Sequence, residues 1–563
     1  MNSLFQASFS KHAFPVSCIP ITTSTENIFS SNFHFSSNIS ARPPIRISCQ
    51  NTTSLVTVSD HVDVRKGNSS ATRDMSNHGI GITNFLQGKS YFITGATGFL
   101  GKALIEKMLR AIPDVVNIFL LIKAKDKEDA KARLYTEIIE SDLFKFLKQI
   151  HGESYKEFMM SKLVPVIGNM NEPDLGMDAD TVDEIAKKIN VIINSAANTN
   201  WHERYDLALN TNTKGPSRLL SFAKKCPKLS LFCMLSTAYV NGNRLGKSME
   251  KPFSMGQSIA AERSFASEDP IPELNIDAEV ELASTLAETF HVKEANQKIK
   301  DLGLQRARMY GWRSTYEFTK AMGEMVISEM RGQIPVVIIR PSIIESTYKE
   351  PFPGWIQGNR MVDPFILQYG KGNLPVLFGD SQAVVDLIPV DMVVNATLAA
   401  VAKHGISGKP EVNVYHVGSS DMNPLSYQDM FNFCYEHFIA CSLMKAKIRK
   451  LEILKSMDEF SSYIYNVMRP SESETDPDSK LHQKLQKQAK RKAEYFIQLA
   501  NIYKPYMFNN GLFDNSNMRK MMEEMSFEEK RNFGFDVCSI NWRDYITNVH
   551  IPGLKTHVMM GRC

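Results

Sequence analysis

Seven residues, Gly95-Ala96-Thr97-Gly98-Phe99-Leu100-Gly101, constrain this chain more than any other stretch. They follow a short apolar run, Ser90-Tyr91-Phe92-Ile93-Thr94, and precede a stretch, residues 102–111, with apolar residues at helical spacing. Strand, glycine turn and helix in that order make the first half of a dinucleotide-binding βαβ unit. Gly95 permits the tight turn, Gly98 lets backbone approach a pyrophosphate, and Gly101 allows the helix to pack closely. The helix N-terminus offers unpaired N–H groups and positive potential to phosphate. The spacing is Gly-x-x-Gly-x-x-Gly rather than Gly-x-Gly-x-x-Gly, and a purely structural turn is the plain alternative. Thr94, Ala96, Thr97, Phe99 and Leu100 complete the candidate cofactor loop.

The next apolar run, Val115 to Ile122, has the pattern of a strand buried on both faces of a parallel sheet. It ends in Lys123-Ala124-Lys125, with no acidic residue to hold a ribose 2′-hydroxyl. A cation such as Lys123 suits a 2′-phosphate, which points to NADPH, although solvated lysines at a strand end are an equally plain reading. Three later runs behave as strands of the same sheet. Val191-Ile192-Ile193-Asn194 runs into Ser195-Ala196-Ala197, whose small side chains let a cofactor lie against backbone. Leu231 to Leu235 runs into Ser236-Thr237, hydroxyls at a carboxyl end that can donate to a carbonyl oxygen. Val336 to Arg340 ends at Pro341-Ser342 and is expected at the nicotinamide. Ligands of open α/β sheets bind at such ends. The expected fold is therefore α/β, a Rossmann-type doubly wound parallel sheet with a mostly helical C-terminal domain.

Tyr316-Glu317-Phe318-Thr319-Lys320 supplies proton chemistry. Residues four apart on a helix share a face, so Tyr316 and Lys320 point the same way. A phenol titrates near 10 and is a poor relay at neutral pH. A fixed ammonium favours the phenolate, which predicts a lowered Tyr316 pKa and easier proton donation to a developing alkoxide. An ordinary helix-surface pair is the bland alternative for this spacing alone.

The order of these motifs resembles the extended short-chain dehydrogenase/reductases. Residues 94–102, 194–198, 235–242 and 309–324 carry that likeness. The segment Pro351-Phe-Pro-Gly-Trp-Ile-Gln-Gly-Asn-Arg-Met361 and Asp386-Leu-Ile-Pro-Val-Asp391 narrow it to the fatty acyl reductases, male-sterility-type branch, over roughly residues 80–560. The resemblance implies Tyr316 and Lys320 as the catalytic pair, Thr237 as carbonyl-oxygen donor with Ser236 the alternative, and Asn194, Ala196, Ala197 and Pro341 at the cofactor. It also implies four-electron reduction of a fatty acyl thioester, on coenzyme A or an acyl carrier protein, to a primary alcohol with two NADPH. Lys123 stands where the family often has Arg, which leaves the cofactor preference open.

Composition bounds the remaining choices. At 563 residues, 43% hydrophobic and 22% charged, the chain has the make-up of a globular protein with two domains. A net charge of +4 gives no case for nucleic acid, and no apolar run is long enough to span a bilayer. Neither the eight cysteines nor the histidines have metal-ligand spacing, so no metal is expected. Residues 1–58 are rich in Ser and Asn, carry Glu26 as their one acidic residue and end near Arg46-Ile47-Ser48-Cys49, a plastid transit-peptide composition. Residues 59–80 read as a linker, 81–424 as the reductase domain and 425–563 as the helical domain. Residues 276–303 are expected to be helical, either a lid over the acyl chain or an accessory helix. Lys480 to Lys492 is strongly basic, a contact for an acidic carrier protein or a membrane surface, or simply a solvated helix face. Competing functions are a reductase that stops at the aldehyde, one acting on another carbonyl such as a sugar nucleotide, and a non-catalytic NADPH sensor. Acyl chain length and oligomeric state stay open at this level.

Overall fold

The computed structural model describes residues 79–560 except 202, 264–270, 290–291, 442, 444–446, 470–479 and 510. The expected leader, all but the last two residues of the expected linker and the loop at 470–479 lie outside the described residues.

Seven strands form one parallel sheet. They are β1 (Ser90–Thr94), β2 (Asn117–Ile122), β3 (Leu163–Ile167), β4 (Val191–Asn194), β5 (Leu231–Leu235), β6 (Val336–Pro341) and β7 (Val412–Val417). Their spatial order is β7-β6-β5-β4-β1-β2-β3. The order reverses at β1, where β2 lies on one side and β4 on the other. That switch point opens the crevice in which doubly wound sheets bind ligands. The strands are mostly apolar because helices cover both faces. Along β1, Tyr91 and Ile93 pack into one core while Phe92 packs into the other. Each such fully buried side chain contributes about 1.5–3 kcal/mol relative to exposure.

Eight helices matter for the site: α1 (Phe99–Ala111), α2 (Ile276–Thr289), α3 (Val292–Met309), α4 (Thr315–Met330), α5 (Asp363–Gly370), α6 (Val390–Ser407), α7 (Tyr427–Ala440) and α8 (Lys480–Met507). The stretch expected to be helical at 276–303 forms two of them, α2 and α3. They pack with Trp312 and Phe318 in a third apolar cluster, behind α4. Arg306 of α3 ion-pairs with Glu279 of α2. No described residue of either helix lines the central cavity; the two pack against the helix carrying Tyr316.

The segment after 425 is mostly helical and shares a core with the sheet. Met430, Phe496, Met521 and Leu554 belong to the same apolar cluster as Ile93 of β1 and Leu104 of α1. Two short strand pairs join the same parts, Leu512–Phe513 with Lys247–Ser248 and Glu452–Leu454 with Val376–Phe378. Residues 76–563 accordingly form one compact unit. No described helix is long and apolar enough to cross a membrane.

Candidate active site

A cavity of about 420 Å³ lies at the carboxyl ends of the strands. The glycine turn forms one wall. Gly95 has φ +71°, and a Cβ there would lie 2.7 Å from the backbone of Ser195 and Ala196. A Cβ on Gly101 would lie 2.3 Å from the Gly95 carbonyl oxygen. Gly98 caps α1 without any side-chain hydrogen bond, so the first N–H groups of the helix keep their donors for a ligand.

Below this wall, Thr94 and Asn194 stand in register on neighbouring strands. The Thr94 hydroxyl donates to Asn194 Oδ1 at 2.7 Å and accepts from the Ala196 N–H at 3.1 Å. This ties the loop after β4 to the glycine turn. Thr94, Ala96 and Asn194 are buried beneath the cavity and do not line it. Thr97, Gly98, Phe99, Leu100, Ala196, Ala197 and Pro341 do line it. Lys123 is exposed at the end of β2, away from the cavity, and its carbonyl accepts from the Arg133 guanidinium. Arg133 was not picked out by sequence; it sits on a later helix with no motif to mark it.

Tyr316 and Lys320 enter from α4, whose start is capped by the Ser314 hydroxyl accepting from the Glu317 N–H. Both side chains line the cavity beside Ser236 and Thr237. Lys320 Nζ donates to the Leu235 carbonyl at 2.8 Å, which fastens α4 to the end of β5. Burial pulls the Lys320 ammonium down to about 8, with Glu324 one turn on opposing it. The Tyr316 phenol is pushed up rather than down, by burial and then by the Glu317 carboxyl, while a hydrogen bond with Thr237 draws it partly back. The expected lowering by Lys320 is therefore absent, and burial dominates.

The two hydroxyls differ. Thr237 Oγ1 accepts from the Tyr239 N–H at 3.3 Å and lies 3.5 Å from the Pro341 carbonyl, so its proton is weakly committed. Ser236 Oγ is buried with no partner among the described residues, as is Ser342 Oγ on the same cavity. Buried polar atoms left unpaired are costly, and two facing one cavity mark where a ligand supplies partners.

The cavity also carries groups that sequence reasoning missed. Glu317 is fully buried; its carboxylate accepts from the Tyr506 hydroxyl at 2.8 Å and the Arg313 N–H at 3.1 Å. Tyr506 of α8 packs on Trp201 at 4.6 Å. Farther in, Phe365, Leu377, Met430, Phe431 and Met507 make the cavity apolar. The pairing of Glu317 with Tyr506 spans 189 residues, which no local pattern reveals.

A parallel sheet with a glycine turn at its switch point, facing a Tyr–Lys pair across one cavity, defines a nicotinamide-dependent oxidoreductase of the extended short-chain dehydrogenase/reductase type. Solved structures agree on the fold. The terminal R domain from the myxalamid PKS-NRPS pathway gives a TM-score of 0.53 at 16% identity, over 84% of this chain and 92% of that one. The reductase domain of a Mycobacterium tuberculosis nonribosomal peptide synthetase gives 0.53 at 18%, over 86% and 95%. Two signatures, both described as male sterility protein, match residues 93–397 and 479–560. The chain is 54% identical over 498 residues to the chloroplastic fatty acyl-CoA reductase 2 of Arabidopsis thaliana, covering 86% of this chain and 80% of that one. It is 37% identical over 495 residues to the alcohol-forming fatty acyl-CoA reductase of Simmondsia chinensis, covering 85% and 99%. The chain belongs to the fatty acyl-CoA reductase family.

Proposed function

We propose that this reductase acts in the plastid, converting a long-chain fatty acyl thioester of coenzyme A or an acyl carrier protein to the primary alcohol with two NADPH. The observation that carries the reading is the meeting of an uncapped helix N-terminus, the Ser236–Thr237 hydroxyls and the Tyr316–Lys320 pair on a cavity whose inner end is apolar. Those residues fit a nicotinamide dinucleotide. The glycine turn leaves backbone bare for the pyrophosphate, and Pro341 and Ser342, on the same cavity, would border the nicotinamide. When bound, the reduced nicotinamide supplies one hydride in each of two rounds.

This chain's residues do the rest. Thr237 and Tyr316 donate hydrogen bonds to the oxygen that gains charge as the thioester carbonyl is reduced, the role of a preorganised oxyanion site. In the first round the thiol leaves and an aldehyde remains. In the second, Tyr316 gives its proton to the alkoxide. Lys320 fixes the end of β5 and so the hydroxyls that follow it. Phe365, Met430, Phe431 and Met507 exclude water and hold the acyl chain.

NADPH is favoured over NADH by the exposed Lys123 at the end of β2; Arg133, which donates to its carbonyl, is paired with Glu137. The plastid address rests on the Ser-rich, acid-poor composition of residues 1–58 and on the relative named chloroplastic. The test is steady-state kinetics with NADPH and NADH on palmitoyl thioesters of both carriers. The better carrier names the donor, and Lys123→Glu should erode the preference for NADPH. An unchanged preference would contradict the placement of the 2′-phosphate.

A further inference from the structure

Among the described residues, Arg360 is the one guanidinium lining the cavity. It belongs to the segment running from Pro351 to Met361. Its guanidinium carbon lies 5.8 Å from the centre of the Phe99 ring. Phe99 is the first residue of α1, so the charge sits beside the uncapped helix N-terminus. Phe99 is itself stacked on Trp355 from the same segment, at 5.2 Å.

The local backbone is built around this side chain. Gly358 has φ +88°, and a Cβ there would lie 2.9 Å from Arg360 Nη2, so the glycine makes room for the fork. Met361 has φ +54°, a left-handed conformation that a non-glycine residue adopts at a cost. Among the described residues the guanidinium has no hydrogen-bond partner. Arg360 is half-buried on the cavity wall, so its guanidinium donors are open to an anion that enters there.

Behind it lies a buried cluster that holds the loop in place. Asp363, within three residues, accepts from the Arg360 N–H at 3.4 Å. His550 Nε2 lies 3.0 Å from Asp363 Oδ1 and 3.9 Å from Glu345 Oε2, and His550 Nδ1 lies 3.1 Å from Ser346 Oγ. Glu345, Asp363 and His550 are all at most 1% exposed. Asp363 and Glu345 also attract the Arg360 charge. The C-terminal segment, through His550, thus braces the loop that carries the arginine.

We propose that Arg360 is an anion-binding residue that clamps the dinucleotide pyrophosphate against the N-terminus of α1, with the Glu345–Asp363–His550 cluster as its support. This rests on the nicotinamide-cofactor reading above and adds a charged partner to a cradle otherwise made of backbone. A guanidinium suits the role because it grips phosphate oxygens in a bidentate fork. The chemistry is shared by a second source, the phosphate of a phosphopantetheine carrier, and the experiment separates the two.

NADPH and NADH affinities are read from quenching of tryptophan fluorescence in the wild type, Arg360→Lys and Arg360→Gln, without turnover. The pyrophosphate is common to both dinucleotides. The glutamine variant should weaken both by the same factor, about tenfold to a hundredfold for a lost charge-assisted pair, and the lysine variant should recover part of it. Thermal unfolding of each variant shows whether the fold is kept; if the glutamine variant does not fold, the lysine variant carries the comparison. Unchanged dinucleotide affinity overturns the clamp. If affinity is unchanged while KM rises for palmitoyl-CoA and not for palmitoyl-pantetheine, which lacks the phosphate, Arg360 serves the carrier instead. Failure of the wild type to bind either dinucleotide would overturn the cofactor reading and the clamp together, an outcome distinct from a variant-only null.

Discussion

Ser236 and Thr237 are adjacent hydroxyls with unequal surroundings, and on that difference the proposed carbonyl-oxygen role falls to Thr237. Thr237 accepts from the Tyr239 N–H and is within hydrogen-bond reach of the Tyr316 phenol, which places its hydroxyl while its own proton stays weakly committed. Ser236 is anchored only by its backbone, whose N–H donates to the Ile339 carbonyl at 2.7 Å. Thr237→Val should lower kcat by about 10²–10³-fold, the cost of one oxyanion donor. Ser236→Ala should cost far less activity and leave the melting temperature unchanged or raised, because it removes an unpaired buried oxygen. The opposite ranking would exchange their roles. Lys320 offers a test by pH. Its ammonium is lost as pH rises through about 8, which weakens the charge-assisted bond to the Leu235 carbonyl that positions Ser236 and Thr237, so kcat/KM should fall above that value, and Lys320→Arg should move the alkaline limb upward. Stability runs the other way. The unfolded chain holds this proton up to about 10.5, so Lys320's contribution to stability grows as pH rises between the two values. An alkaline limb that ignores the arginine variant would remove Lys320 from the account.

At the scale of elements, β1, the glycine turn and α1 are a single device. Gly101 exists for packing: its Cα faces the Gly95 carbonyl so closely that no side chain fits. Gly101→Ala should force α1 away from the turn, costing about 1–3 kcal/mol and weakening dinucleotide affinity together with thermal stability. Loss of neither would mean the turn has slack. This device was legible in the sequence because glycine spacing and apolar runs are local signals. So were α4 and its Tyr–Lys face. What was not legible depends on distance along the chain. The upward shift of Tyr316 comes from burial and from Glu317, and the aromatic wall comes from Trp201 and Tyr506, which approach only after folding. The stretch at 276–303 reads correctly as helical, but its break into two helices and its position behind α4 depend on Trp312 and Phe318 as packing partners.

The whole molecule places chemistry at a seam. The sheet brings glycine turn, hydroxyls and Tyr316 to one side of the cavity; α7 and α8 bring Met430, Phe431, Tyr503 and Tyr506 to the other. The C-terminal segment therefore completes the site, and its helices share one core with the sheet. Membership of the fatty acyl-CoA reductase family fits a cavity with one polar and one apolar end. The most direct measurement identifies the products when the purified protein and its Tyr316→Phe variant meet NADPH and a palmitoyl thioester. The account predicts hexadecanol from the wild type and a loss of about 10²–10⁴-fold in the variant, with NADPH binding retained. Alcohol formed by the variant at the wild-type rate, or aldehyde as the sole wild-type product, would contradict it.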